Sequence, residues 1–212
     1  AHNGNFTNAL KLRELLVKEG AIFRTTSDTE TIVQLIAKSK RTKMIDKVVD
    51  TLFQVQGGYA LVMMSNKKLI GARDPLGIRP LVLGKLKNSY VLASETCAFD
   101  IIGAKFIREI ENGEVVVIEE GNLKSIKPFT KKKARPCVFE YVYFSRPDST
   151  IDSISVHKSR LRMGDYLGEK IATQYSHLNI DVVIPVPDTS RTAAMQVAHR
   201  LGKKYREGFM KN

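Results

Sequence analysis

Cysteine is scarce: the 212 residues hold two, Cys97 and Cys137, far apart and outside any CxxC pair. Two such thiols build neither a disulfide framework nor a cysteine metal site. They fit a reducing compartment, so a cytoplasmic location is expected. Long apolar runs are also missing. No stretch reaches the roughly 18 apolar residues of a membrane span, and the 43% hydrophobic content is enough for one large core or two smaller ones. The four histidines, His2, His157, His177 and His199, show no metal-ligand spacing. No signal peptide is expected; the chain opens at Ala1, without an initiator Met and inside a motif, and is expected to be cut at its front end. Acidic charge is in deficit, giving a formal net charge of +12. Residues 1–135 carry 23 Lys+Arg against 14 Asp+Glu, and residues 136–212 carry 11 against 8. The surplus lies mainly in Lys38–Lys47 and Lys131–Arg135, runs without interleaved aromatics for base stacking, which read as a solvated face and a linker rather than a nucleic-acid surface.

What is present has a clear rhythm. Ala9, Leu12, Leu15 and Leu16 recur at helical spacing up to Gly20, and two further amphipathic helices are predicted around Ile32–Ile36 and Ile45–Phe53, with a short strand at Ile22–Thr25 before them. From Tyr59 onward β-rich runs at 59–65, 69–73, 81–86, 90–94, 106–110, 115–119 and 123–127 alternate with turn residues, which predicts an antiparallel meander. Helices followed by a long antiparallel run suggest an α+β layered domain. The Lys-rich stretch ending at Pro136 marks a linker, placing domains at 1–133 and 134–212. In the second domain Val138–Phe144 reads as an aromatic strand. A helix through Met163 and Tyr175 follows, with Gly164 and Gly168 on a face open to close packing. Asp181–Ile184 then reads as a strand buried on both faces, and Ala194–Leu201 as a helix.

Three places carry candidate chemistry. Asn3-Gly4 at a strand end can aim the Asn3 amide and the Gly4 N–H at one point, as an oxyanion hole requires; the plainer alternative is a hairpin turn. Asp28 follows a helix cap at Ser27, with Glu30 completing a Ser-x-x-Glu capping box; it suits a substrate ammonium group, or merely faces the helix dipole. The loop Pro185–Ser190 puts Asp188, Thr189 and Ser190 between a strand and a helix N-terminus, where ligands of open α/β sheets bind, unless Thr189 or Ser190 only caps the helix. Cys97 has no neighbouring histidine to activate it and reads as a packed core residue. His2 is expected to orient the Asn3 segment.

These segments resemble the amidophosphoribosyltransferase family of class II glutamine amidotransferases. The resemblance runs through His2-Asn3-Gly4-Asn5, Thr26-Ser27-Asp28, the stretch from Asp74 to Leu81, Phe139–Phe144, Arg146-Pro147-Asp148-Ser149 and Val183–Thr189, essentially the whole chain. It implies a partial α+β four-layered N-terminal nucleophile hydrolase (class II glutaminase) domain, followed by a partial α/β type I phosphoribosyltransferase domain. The implied reaction is the first step of purine synthesis, in which glutamine, phosphoribosyl pyrophosphate and water give 5-phosphoribosylamine, glutamate and pyrophosphate, with Mg2+ as cofactor.

By the same resemblance Asn3 and Gly4 form the oxyanion hole, Asp28 binds glutamine, Asp188 and Ser190 lie on the ribosyl pyrophosphate side, and Thr189 lies near magnesium. Purine nucleotides are implied as feedback inhibitors of a homo-oligomeric parent, with no nucleic-acid or membrane partner. Cys137 occupies a position that ligates an iron–sulfur cluster in some members; the remaining ligands would lie beyond Asn212, and no cluster is expected. The family's nucleophile is an N-terminal cysteine whose own amine is the base. It is expected upstream of Ala1, with an arginine for the glutamine carboxylate, and the phosphate-cradling aspartates beyond Asn212. The chain then reads as the middle of a longer enzyme, inactive alone. Two alternatives remain: a sister class II amidotransferase acting on a sugar phosphate or aspartate, which should lack the 185–190 loop, and a non-catalytic glutamine-binding regulatory domain.

Overall fold

In the computed structural model, which describes residues 1–211, the chain divides into two units: residues 1–94 with 105–136, and residues 95–104 with residues 137 onward. The first unit opens with β1 (His2–Phe6), α1 (Ala9–Lys18), α2 (Asp28–Lys38) and α3 (Met44–Leu52), then β2 (Gly57–Met64), β3 (Lys68–Arg73), β4 (Val82–Leu86) and β5 (Ser89–Ala93). The helix α4 (Cys97–Ile102) lies in the second unit, after which β6 (Lys105–Glu109), β7 (Val115–Glu119) and β8 (Asn122–Ile126) return to the first.

Side chains alternate faces along a strand, and here both faces are apolar. Tyr59, Leu61, Ile70, Val115 and Val117 point into a core shared with Leu16, Ile32, Leu35, Val48 and Leu52 of the three helices. Ala60 and Val116 point the other way, onto Leu81, Leu83 and Ile110. Leaving either face in water would forfeit roughly 1.5–3 kcal/mol per fully buried aliphatic side chain. The expected single meander therefore does not form. The chain builds an antiparallel sheet in the order β1-β2-β3-β7-β8 and covers its second face with a separate sheet, β5-β4-β6. The layers of this unit are helices, sheet and sheet.

Two local expectations fail here. Ile22–Thr25 is not a strand; the backbone N–H groups of Arg24 and Thr25 donate instead to the Glu30 carboxylate, at 2.9 and 2.8 Å. The same bonds undo the reciprocal capping box, because Ser27 Oγ accepts from Thr29 N while Glu30 reaches back past the cap.

The second unit continues with β9 (Thr150–Ile151), β10 (Ile154–Ser155), α5 (Val156–Gln174), β11 (Val182–Val183), α6 (Arg191–Leu201) and β12 (Lys204–Tyr205). Helices α5 and α6 pack tightly at the anticipated glycines: a Cβ on Gly164 would lie 2.5 Å from the Ala193 carbonyl oxygen, and one on Gly168 2.8 Å from Arg200 Cβ. Val138–Phe144 is no strand. It contains a π-helical turn, Glu140–Phe144, with Ser145 N donating to Glu140 O at 3.0 Å. The buried Arg160 secures that turn by donating to the Tyr141 and Ser145 carbonyls, at 2.8 and 2.7 Å, which leaves no ladder for a strand. The β11 segment is likewise not buried on both faces: among the described residues it pairs in parallel with β12 alone, and Val182 and Ile184 remain 37% and 41% exposed.

Candidate active site

Asn3 and Gly4 lie within β1, which removes the hairpin alternative. The direction of their backbone groups follows from the pairing. Ala1 and Val62 exchange hydrogen bonds at 2.7 and 3.0 Å, and Thr7 N donates to Gln56 O at 2.8 Å, so the odd-numbered residues of β1 face β2. Antiparallel alternation then turns His2, Gly4 and Phe6 outward. Tyr59, opposite Gly4, engages Asp74 with both its N–H and its carbonyl, and Phe6 N donates outward to Asp28 Oδ2 at 2.9 Å. The Gly4 N–H is thus aimed along the strand edge on which Asp28 sits. Gly4 has φ +133°, and a Cβ there would fall 2.0 Å from the Gly58 carbonyl oxygen, so only glycine fits.

The Asn3 carboxamide is held by its oxygen. Arg79 Nε donates to Asn3 Oδ1 at 3.2 Å, and Arg79 Nη2 donates to the same atom. Among the described residues no acceptor meets Asn3 Nδ2, which stays available as a donor. Arg79 is itself set by a buried platform. Its N–H donates to Asp74 Oδ2 at 3.2 Å and its carbonyl accepts from Arg73 Nε at 2.9 Å. Asp74 is fully buried and accepts also from Leu76 N and Tyr59 N. Arg73, 4% exposed, binds the Ile110 and Gly77 carbonyls. In the sequence Arg79 stands inside the Asp74–Leu81 segment with no local pattern that marks it for a role, because its partner Asn3 lies 76 positions away.

Asp28 opens α2. Its Oδ2 takes the Phe6 N–H, and its Oδ1 lies 3.6 Å from His2 Nδ1, which is also 3.0 Å from Thr29 Oγ1. The His2 ring stacks on Phe6 of the same strand at 4.5 Å, and its contacts to Asp28 and Thr29 tie β1 to the first turn of α2. Burial pushes the His2 imidazole below its ordinary pKa, against the pull of Asp28 in the other direction, so the ring is neutral near pH 7. A cavity of about 310 Å³ adjoins this carboxylate, lined by Phe6, Arg13, Ser27, Asp28 and Thr31 among others, a size suited to a small metabolite. A larger hollow of about 490 Å³ between the helices, with Leu15, Lys38 and Asp50 in its wall, shares no residue with the Asn3 and Asp28 sites.

In the second unit, Asp188, Thr189 and Ser190 form the turn before α6. Asp188 is exposed and pairs with Arg191 at 3.3 Å, while Ser190 Oγ donates to the Val186 carbonyl instead of capping the helix. Cys97 is buried, and that burial pushes its thiol up, Ser149 opposing, which favours the thiol over the nucleophilic thiolate. Among the described residues no group of three or more His, Cys, Asp or Glu is placed to hold a metal, and no helix is long and apolar enough to cross a membrane.

Residues 1–100 match the family described as the glutamine amidotransferase domain. The whole chain is 46% identical to the amidophosphoribosyltransferase of Rhizobium etli and 42% identical to that of Bacillus subtilis, covering 43% and 44% of those proteins. Among solved structures, the glutamine phosphoribosylpyrophosphate amidotransferase of B. subtilis complexed with ADP and GMP superposes with a TM-score of 0.90 at 42% identity, over 100% of this chain and 46% of that one. The chain is thus similar to amidophosphoribosyltransferases along its entire length, and it spans less than half the length of these relatives.

Proposed function

We propose that the chain is a stretch of an amidophosphoribosyltransferase, with a class II glutaminase domain of the four-layered N-terminal nucleophile hydrolase type at 1–133 and part of a type I phosphoribosyltransferase domain at 134–212. The observation that carries this reading is a single strand edge, β1, that offers an outward N–H at Gly4 and a carboxamide donor at Asn3, with the Asp28 carboxylate two residues along. A glutamine amide attacked by a thiolate develops negative charge on its oxygen, and two fixed donors are what stabilise that charge. Asp28 receives the substrate ammonium on Oδ1. Because burial disfavours the charged His2 ring, no imidazolium competes with the ammonium for that carboxylate. Cys97 is not assigned the attacking role, since it is buried and burial pushes its thiol up.

The ammonia released is consumed at C1 of phosphoribosyl pyrophosphate, with pyrophosphate leaving. The β11-loop-α6 unit supports this second half, because a strand C-terminus followed by a helix N-terminus is where open α/β folds bind phosphates. It also counts against a sister amidotransferase. Asp188 and Thr189 offer hard oxygen donors of the kind Mg2+ accepts, too few for a protein cage but enough beside substrate phosphates, which is the usual mode for this ion. The metal would neutralise the departing pyrophosphate; Thr189 would lie at that end, and Asp188 and Ser190 would bind the ribosyl pyrophosphate. Purine nucleotides would act as inhibitors, as the ADP and GMP bound to the B. subtilis relative suggest. A homo-oligomeric, cytoplasmic parent completes the reading.

The test is pyrophosphate release by the full-length protein with glutamine and, separately, with free ammonia. Asn3→Ala should lower glutamine hydrolysis by about 10²–10³ while sparing the ammonia reaction. Asp28→Ala should act chiefly on the KM for glutamine, a contact made equally in ground and transition states. A wild-type protein that does not hydrolyse glutamine would overturn the reading, and equal loss of both reactions in Asn3→Ala would make Asn3 structural.

A further inference from the structure

We infer that Arg79 is a positioning residue of this glutaminase centre: it clamps the Asn3 carboxamide by its oxygen and so commits the amide nitrogen to donate towards the reacting carbonyl. The inference rests on the reading of Asn3 as an oxyanion donor. A primary amide presents an acceptor and a donor at the ends of one short fork, and rotation about its last bond exchanges them. In an oxyanion hole the wrong orientation sets a carbonyl oxygen against developing negative charge. Something must choose between the two, and a guanidinium does so, because it carries donors only. Facing Arg79 Nε at 3.2 Å and Arg79 Nη2 as well, the Asn3 atom can only be the oxygen.

The clamp is effective because Arg79 cannot drift. Its backbone is fixed on both sides, by Asp74 Oδ2 on its N–H and by Arg73 Nε on its carbonyl, and both of those side chains are buried. The loop between them is tightly seated: Gly77 has φ +64°, and a Cβ there would fall 1.9 Å from Asn112 Oδ1. A second effect follows from charge. A cation bound to the amide oxygen polarises the carboxamide and makes its N–H groups stronger donors, and it places fixed positive charge close to where the oxyanion forms.

The full-length protein tests this through a double-mutant cycle with the Asn3→Ala variant. Arg79→Ala should lower kcat for glutamine hydrolysis by about 10- to 100-fold with KM for glutamine within about threefold, and Arg79→Lys should recover part of the loss. In the Asn3→Ala background the same Arg79→Ala change should cost less than about twofold, since its target is gone. Losses that multiply independently in the two backgrounds, or an Arg79→Ala enzyme with unchanged kcat, would overturn the inference. If Arg79→Ala does not fold, Arg79→Met, which keeps the aliphatic stem, takes its place in the cycle. Side-chain amide NMR separates this result from the functional reading. Asn3 Nδ2 resonances that are sharp and well resolved in the wild type should shift and broaden in Arg79→Met; resonances that do not change would refute the clamp even in a protein that hydrolyses glutamine, whereas a wild type without hydrolysis refutes the preceding reading.

Discussion

Around Asn3 the polar groups are gripped by side chains from distant parts of the sequence, whereas the loop ahead of α6 is held by residues within one turn of itself. Arg79 reaches Asn3 across 76 positions. Asp188 finds Arg191 three positions on, and Ser190 finds Val186 four positions back. The contrast matches the chemistry proposed for each. An oxyanion appears only in the transition state, and fixed donors help because they need not reorganise when it forms. A pyrophosphate already carries its charge, and a helix N-terminus with exposed polar groups receives it over a longer range and with less demand on geometry.

Removing the anchor of the first region should have the largest effect. Asp74 is fully buried and accepts three backbone N–H groups, so Asp74→Ala is expected to cost about 3–5 kcal/mol in urea unfolding. A cost below about 1 kcal/mol would show that the platform is not what holds the loop.

Glycine substitutions compare the Asn3 region with the far end of α6. Gly4→Ala places a methyl on the Gly58 carbonyl at φ +133° and should cost about 2–4 kcal/mol. Gly202→Ala, at φ +63° with nothing within 4 Å, should cost only the left-handed penalty of about 1–2 kcal/mol. Thermal denaturation of the two variants ranks them, and a reversed order would break the comparison.

A smaller, pH-dependent effect comes from His2. Its folded pKa lies below the ordinary 6.5 because the ring is buried, so the unfolded chain binds more protons in that range. Stability is therefore complete above about pH 6.5 and declines as the pH falls through it. Urea midpoints between about pH 7.5 and pH 5.5 should drop for the wild type and drop less for His2→Phe. Equal slopes would remove His2 from the account. The smallest effect belongs to the exposed pair of the second region: Asp188→Asn should change stability by less than about 0.5 kcal/mol, as surface ion pairs do, while weakening phosphoribosyl pyrophosphate binding in the full-length protein. A large loss of stability there would mean that the loop is as tightly built as the Asn3 site.

Much of this was visible in the residues. The strands from Tyr59 to Ile126 and the helices on Leu16, Ile32 and Val48 lie close to where their periodicities put them, because each pattern is satisfied within its own segment. Gly164 and Gly168 announced a close helix contact. Apolar content alone does not make a strand. The aromatic run Val138–Phe144 has the composition of a strand, but Arg160 takes up the Tyr141 and Ser145 carbonyls and the segment forms a π-helical turn. Ile22–Thr25 fails similarly, because Glu30 supplies the acceptors that a second strand would have offered.

By itself the sequence determined the element types, the apolar faces, and the candidacy of Asn3, Gly4 and Asp28, since these depend on residues near one another along the chain. Only the tertiary structure decided that the strands part into two sheets, that Gly4 turns its N–H outward, and that Arg79 holds the Asn3 oxygen. A strand's own residues are equally satisfied by either neighbour and either register. The choice falls to the burial of both faces and to which distant backbone takes up each N–H and carbonyl, and those quantities exist only once the segments have met.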